Sequence, residues 1–148
     1  MEKSWDRVTQ FFDITGIKDK SDYINGTHVP SISSMFDMVD WDWLCNGKPV
    51  LMHGDPQPEN IIVTEDGTFQ IIDWREDFAG IEEYGDVYYD LAKIYHALII
   101  SHEIVRGEEF TISRSPDSVS YNFRLKNNLM QQKDVLEQFI KDEGYDLY

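Results

Sequence analysis

Three polar residues in one short stretch, Asp55, Asn60 and Asp73, have the side-chain types that magnesium-dependent chemistry uses. They lie within LMHGDPQPENIIVTEDGTFQIIDWRED, residues 51–77, where short apolar runs alternate with acidic and turn-forming residues. Apolar runs of this length are typical of buried strands. The chemistry therefore depends on whether these strands bring the three polar groups to one place.

The second half of this stretch predicts a β-hairpin. IIVTEDGTFQII consists of two apolar runs around Asp66-Gly67, a dipeptide that favours a two-residue type I′ turn. With that turn, Asn60 lies directly opposite Asp73. Opposed residues of an antiparallel pair have Cα atoms about 4.5–5.5 Å apart and side chains on the same face. An amide oxygen and a carboxylate at that separation can hold one Mg²⁺, whose other ligands are water and phosphate.

Asp55 would add a third group beside this pair. It lies in HGDPQPEN, where Pro56 and Pro58 stiffen the loop and Gly54 allows a sharp turn. A carboxylate next to a two-ligand Mg²⁺ site suits phosphoryl transfer, because it can accept a hydroxyl proton while the metal neutralises phosphate charge. Taken singly, each Asp could instead end a strand or cap a turn. A metal-dependent hydrolase is a further alternative, although it would usually use additional His or carboxylate ligands.

Hydrophobic spacing predicts the elements that position these residues within one domain, residues 1–148. Beyond the hairpin, the expected elements are a first helix ending near Gly16, a second from Ile32 to near Gly47, a strand at Val50–Met52, a core-facing helix after Gly85, a second hairpin in EFTISRSPDSVSYNFRL, and a closing helix up to Gly144. We also expect Asp86 or Asp90 to cap the helix after Gly85 or to accept backbone N–H groups near His53, because an unpaired acid beside a buried stripe is costly.

Composition limits the partners. The 148 residues include 13 Lys and Arg against 28 Asp and Glu, a net charge of −15. Such a surface repels nucleic acid and anionic lipid, so we expect neither as a partner. No apolar run reaches the roughly 18 residues of a membrane span, and the single cysteine, Cys45, fits a reducing compartment. We expect a cytoplasmic protein.

The motifs resemble those of the aminoglycoside phosphotransferase and choline kinase family, whose fold is similar to that of protein kinases. HGDPQPEN followed by IIDW resembles the HGDxxxxN and IDW motifs of that family, and GDVYYDLAKIYHAL resembles its GDxxxDLA helix. The combination IDWREDFAG…YGDVYYDLAKIYHAL looks most like the branch found with capsule and lipopolysaccharide sugar biosynthesis. The resemblance covers roughly residues 24–144, and its specific part is residues 53–95.

The resemblance implies a role for each matching residue. Asp55 would be the catalytic base, Asn60 and Asp73 the Mg²⁺ ligands, and His53 and Asp90 supports of the catalytic loop. The donor would be ATP or another nucleoside triphosphate. Arg75, which follows Asp73 closely, could orient a phosphate or an anionic substrate, or could equally be a structural partner of Asp77 or Asp86.

The expected fold is α+β, a mostly helical C-terminal lobe of a kinase-like fold with one catalytic hairpin and a second hairpin. The sequence lacks the GxGxxG loop and the strand lysine of the nucleotide lobe of such kinases. We therefore expect a chain that is nearly inactive alone and binds Mg²⁺ weakly: a truncated reading frame, a fragment, or a half-enzyme completed by a separate chain carrying the N-terminal lobe. The resemblance also implies a small-molecule substrate. Two functions stay open: a phosphotransferase that moves the γ-phosphoryl group to a sugar or amino alcohol, and a non-catalytic remnant or binding module.

Overall fold

The structure is a computed structural model that describes residues 2–147, with side chains from Trp5 onwards. In chain order the elements are α1 (Glu2–Thr15), β1 (Asp22–Ile24), β2 (Thr27–Val29), α2 (Ile32–Asp37), α3 (Trp41–Leu44), β3 (Pro49–Val50), a 3₁₀ turn (Pro58–Asn60), β4 (Ile61–Val63), β5 (Phe69–Ile71), β6 (Gly85–Asp86), α4 (Val87–Ile99), α5 (His102–Arg106), β7 (Phe110–Ser115), β8 (Ser118–Phe123) and α6 (Asn127–Asp142). The α+β class is confirmed, whereas the kinase-like lobe stays a prediction. None of the helices in this described range combines the length and the apolar character needed to cross a bilayer.

Two compact units make up the chain. The first consists of Met1–Trp41 and Thr111–Asn122, and the second of Asp42–Phe110 and Phe123–Tyr148. The single domain expected from the sequence stays a prediction. Every predicted site residue lies in the second unit.

The first unit contains the predicted first helix and a hairpin that the sequence analysis did not identify. Helix α1 ends where Gly16 adopts a φ of +67° and donates its N–H to the carbonyl of Phe12 at 2.8 Å. Strands β1 and β2 pair around Asn25-Gly26, whose φ angles of +49° and +80° match a type I′ turn. The order β2-β1-β8-β7 then joins this hairpin to the second predicted hairpin, which is confirmed.

The single helix predicted from Ile32 to near Gly47 is wrong, because the structure breaks it into α2 and α3. Ser31 caps α2 by accepting the N–H of Ser34 at 3.2 Å. At its other end the N–H of Met38 lies 3.2 Å from the carbonyls of both Ser34 and Met35, the bifurcated contact of a helix that tightens and stops. The indole N–H of Trp41 then takes the carbonyl of Phe36 at 3.1 Å, so a side chain satisfies a carbonyl that a longer helix would have bonded internally.

The core of the second unit forms where α4 packs against α6. Its buried apolar side chains come from the loop after β3 and from α4, α5 and α6: Met52, Leu91, Leu98, Ile104 and Ile140. The helix predicted after Gly85 is confirmed, but it ends at Ile99 and α5 is separate from it. The closing helix is confirmed as α6, and Gly144 follows it with a φ of +72°.

The central hairpin forms, but its predicted register is wrong by one residue. Strands β4 and β5 pair Ile61 with Ile71 and Val63 with Phe69, so the loop has three residues instead of two. Gly67 has a φ of +83°, while Asp66 keeps a negative φ and uses its carboxylate to accept the N–H of Thr68 at 3.1 Å. This matches the three-residue loop in which a type I turn is followed by a left-handed glycine. The change moves Asp73 away from the position opposite Asn60.

Candidate active site

The loop that follows β3 is the most buried part of the second unit. Met52, His53, Gly54 and Pro56 are buried, and His53 retains only 4% of its accessible surface. Asp90 of α4 anchors the loop: one carboxylate oxygen accepts the N–H of His53 and the other accepts the N–H of Gly54, both at 2.7 Å. The expected local use of an acid near His53 is confirmed, and Asp86 also caps α4 through the N–H of Tyr88 at 3.1 Å.

The ring of His53 links this loop to the segment that carries Asp73. Its Nδ1 accepts the N–H of Asp55 at 3.1 Å, so the hydrogen-bond network places the ring proton on Nε2, which donates to the carbonyl of Ile72 at 2.8 Å. The N–H of Arg75 donates to the carbonyl of His53 at 2.9 Å. Asp73 therefore lies between two residues that are both tied to His53.

Asp55 projects from this loop as a half-buried carboxylate. Its Oδ1 accepts from the amide of Gln57 at 2.7 Å and pairs with Nζ of Lys93 at 2.9 Å. The hydrogen bond from Lys93 and then that from Gln57 are the main causes that lower the pKa of Asp55 from its ordinary value; burial opposes them, and the charges of Lys93 and Arg75 add smaller lowering effects. No described donor contacts Oδ2, so one oxygen is fixed and the other is available.

Asn60 is oriented by the same loop. Its Nδ2 donates to the backbone carbonyl of Asp55 at 2.9 Å, at the end of the 3₁₀ turn. The side-chain oxygen of Asn60 therefore faces away from that bond, and no described residue donates to it.

The predicted register placed Asp73 opposite Asn60, and this prediction is wrong. Ile72 takes that position and donates its N–H to the carbonyl of Asn60 at 2.9 Å. Asp73 follows with a φ of +62°, a left-handed conformation that ends the strand alternation. Its carboxylate is exposed and has no partner within the described residues. Asn60 and Asp73 therefore both lie at the open end of the hairpin, where the bond between Ile72 and Asn60 and the contacts of His53 fix the backbone.

Arg75 has neither of the carboxylate partners considered from the sequence. Asp77 accepts the N–H of Gly80 at 3.0 Å, and Asp86 accepts the N–H of Tyr88 in α4 at 3.1 Å and that of Lys48 at 3.2 Å. The guanidinium of Arg75 instead lies 5.9 Å from the ring centroid of Tyr89 and contributes to the lowered pKa of Asp55.

Sequence reasoning missed Gln57 and Lys93, the two residues that touch the Asp55 carboxylate. Lys93 could have been found, because it follows Asp90 by three positions on one helix and such residues share a face. An acid expected to reach the His53 loop thus brings that lysine to the same loop. Gln57 offered no comparable signal beyond its position two residues after Asp55.

A profile of the phosphotransferase enzyme family matches residues 30–109, more than half of the chain, and the chain belongs to this family. The matched range contains Asp55, Asn60, Asp73 and Asp90. No curated protein and no solved structure gives a significant match to the chain. Within the described residues no group of three or more His, Cys, Asp or Glu side chains could form a metal site.

Proposed function

We propose that this chain is a kinase-type phosphotransferase domain that moves the γ-phosphoryl group of ATP, or of another nucleoside triphosphate, to the hydroxyl group of a small compound such as a sugar or amino alcohol. The observation that carries the proposal is the state of Asp55. One of its oxygens is fixed by Lys93 and Gln57, and the other has no described partner in a loop that Asp90 holds rigidly.

Asp55 is suited to act as the base of the transfer. Its lowered pKa keeps it ionised at neutral pH, so it can accept a hydrogen bond from the acceptor hydroxyl and orient its oxygen. As the acceptor oxygen bonds to the γ-phosphorus, the bond from phosphorus to the leaving diphosphate breaks, and the hydroxyl proton passes to Asp55 Oδ2. A base of low pKa contributes mostly by positioning, which is the main requirement of phosphoryl transfer.

Asn60 and Asp73 are suited to hold Mg²⁺. Their donor set is one amide oxygen and one carboxylate, hard ligands of the kind that Mg²⁺ prefers. Within the described part of the chain, no donor hydrogen-bonds to the side-chain oxygen of Asn60 or to the carboxylate of Asp73. Mg²⁺ keeps most of its ligands as water and phosphate, so two protein oxygens suffice. When bound, the ion would neutralise charge on the transferred phosphate.

His53 and Asp90 are suited to position the loop without touching the reacting groups. Asp90 fixes two successive backbone N–H groups, and the His53 ring joins Asp55 to Ile72 beside Asp73. A shift of the loop would therefore move the base and a metal ligand together.

The test is a ³¹P NMR assay of phosphoryl transfer by the purified chain with Mg·ATP and a panel of small polyols and amino alcohols. Because the sequence contains no Gly-rich phosphate-covering loop, we expect slow turnover from this chain alone and faster turnover when a chain with such a loop is added. Asp55→Asn should lower the rate about 10²–10⁴-fold, the usual contribution of a positioned base. Glu83→Gln, which replaces an exposed acid outside the loop of residues 51–60, is the control. A transfer rate that Asp55→Asn leaves unchanged would contradict the assignment of the base.

A further inference from the structure

Arg75 is held in place although its charged end has no carboxylate partner. The chain carries 28 acidic residues against 13 basic ones, yet no described carboxylate pairs with this guanidinium. Its stem packs on Gly54 so closely that a Cβ added to the glycine would lie 2.6–2.7 Å from the Cβ, Cγ and Cδ of Arg75. The backbone N–H on His53 and the packed stem direct the exposed Arg75 side chain along Gly54 toward Tyr89, where its guanidinium donors stay accessible.

Lys93 provides a second cation around the same aromatic ring. Its Nζ lies 6.0 Å from the Tyr89 centroid, close to the 5.9 Å of the Arg75 guanidinium. The ion pair with Asp55 uses one of the three N–H groups of Lys93. Both cations act on the same carboxylate, since each lowers the pKa of Asp55. Two of the chain's 13 basic residues therefore act on this one carboxylate, in a chain of net charge −15.

We infer that Arg75 and Lys93 form a subsite for an anionic group on the acceptor, so that among small hydroxyl compounds the preferred acceptor also carries a carboxylate or phosphate, as a hydroxy acid, a sugar acid or a sugar phosphate does. The inference rests on the proposed function. A planar guanidinium binds a carboxylate or phosphate through two parallel hydrogen bonds, which fixes orientation as well as adding affinity. Such an anchor beside Asp55 would direct a neighbouring hydroxyl group to Oδ2.

The position of the two cations favours the acceptor over the donor. They flank Asp55, the group that the acceptor hydroxyl must reach, whereas the donor phosphates would be drawn to the metal ligands Asn60 and Asp73. At long range this chain repels an anion weakly, because its net charge is negative and salt screens charges beyond about 8 Å. Recognition of an anionic acceptor would therefore depend on direct contact with these two side chains.

The test measures binding, so it needs no turnover. Three matched pairs of probes are titrated into the full chain: D-glucuronate against D-glucose, D-glycerate against glycerol, and glucose 6-phosphate against glucose. Affinities are measured by isothermal titration calorimetry, which can be applied equally to variants that lack Arg75. We expect at least one anion to bind about tenfold or more tightly than its neutral partner, the difference that a charge-assisted bidentate contact supplies.

Variants decide which residue gives that preference. Arg75→Gln should abolish the preference, and Arg75→Lys should keep part of it, because charge remains while the two-pronged geometry is lost. Arg106→Gln, which removes an exposed arginine of α5 in the same unit, should leave it unchanged. Melting temperatures of all three show whether each variant is folded, and the Arg75→Lys result keeps the test valid if Arg75→Gln is not.

Three results would overturn the inference. They are equal binding of every charged and neutral pair, equal effects of Arg75→Gln and Arg106→Gln, and full displacement of the anion from Arg75 by Mg·ATP, which would assign the subsite to the donor. Failure of the proposed function gives a different pattern. Asp55-dependent transfer to neutral acceptors, unaffected by Arg75→Gln, would refute only the subsite, whereas Arg75-dependent anion binding without any Asp55-dependent transfer would refute the phosphotransferase proposal.

Discussion

Replacing Asp90 with Ala should strongly destabilise the second unit. The carboxylate accepts the N–H groups of His53 and Gly54, both buried, at 2.7 Å. Removing it leaves two buried donors unsatisfied at about 1–3 kcal/mol each. Because Asp90 is only half-buried and water can reach part of the site, we expect a loss of about 3 kcal/mol, near the lower end of the combined range. For a chain of this size that corresponds to a fall in melting temperature of roughly 6–12 °C.

Urea unfolding and differential scanning calorimetry measure this loss directly. Asp134→Ala is the matched control, because Asp134 also lies on a helix of the second unit and its side chain is 76% exposed. The control should change stability by no more than about 0.5 kcal/mol. The stability of Asp90→Asn should lie between those of Asp90→Ala and Asp134→Ala, since Asn retains one acceptor oxygen but turns an amide donor toward the other N–H. If Asp90→Ala has the same melting temperature as Asp134→Ala, the hydrogen bonds do not support the loop and the account of its rigidity is wrong.

Three further predictions concern the same region. Gly54→Ala should cost about 2–4 kcal/mol in urea unfolding, because its φ is +84° and the new Cβ would collide with the stem of Arg75. The pKa of Asp66 should be about 2 in a carbon-detected NMR titration, since Thr64 and Thr68 donate to its carboxylate; a value near 4 would contradict the loop geometry. Lys93→Met should raise the pKa of Asp55 in the same titration, because its largest lowering contact is removed. In the wild type the stabilising effect of Asp55 ionisation is fully present above the unfolded pKa, near 3.9, and is lost as the pH falls through the lower folded value. In Lys93→Met the effect should be smaller and its loss should be complete at a higher pH.

Local signals in the sequence predicted most of the helices and hairpins. The apolar spacing of α4 and α6 was sufficient, because each has a buried or half-buried face, whereas in α1 only Val8 and Phe12 of the described side chains are half-buried although the helix forms as predicted. The helix spanning α2 and α3 was wrongly predicted as continuous, since apolar spacing does not show that the Trp41 indole would take a backbone carbonyl. The hairpin at Asn25-Gly26 carried a strong turn signal that was not used.

The candidate site shows why residue identity was easier to predict than geometry. Asp66-Gly67 marked the right turn, but the Asp66 carboxylate favours a three-residue loop, and one added residue changes every pairing that follows. What holds Asp73 near the loop is the His53 ring and backbone, which are tertiary contacts that strand spacing cannot reveal. The same applies to the ion pair of Lys93 with Asp55, which joins residues far apart in the sequence.

The most direct measurement is a titration with Mn²⁺, a paramagnetic substitute for Mg²⁺, followed by line broadening in ¹H–¹⁵N spectra of the full chain. The account predicts that the amides of residues 54–60 and 73–75 broaden first, and that Asp73→Asn weakens the effect about tenfold or more while Asp66→Asn does not. Broadening centred elsewhere on the acidic surface, or an affinity that Asp73→Asn leaves unchanged, would contradict the proposal that Asn60 and Asp73 hold a metal ion beside Asp55.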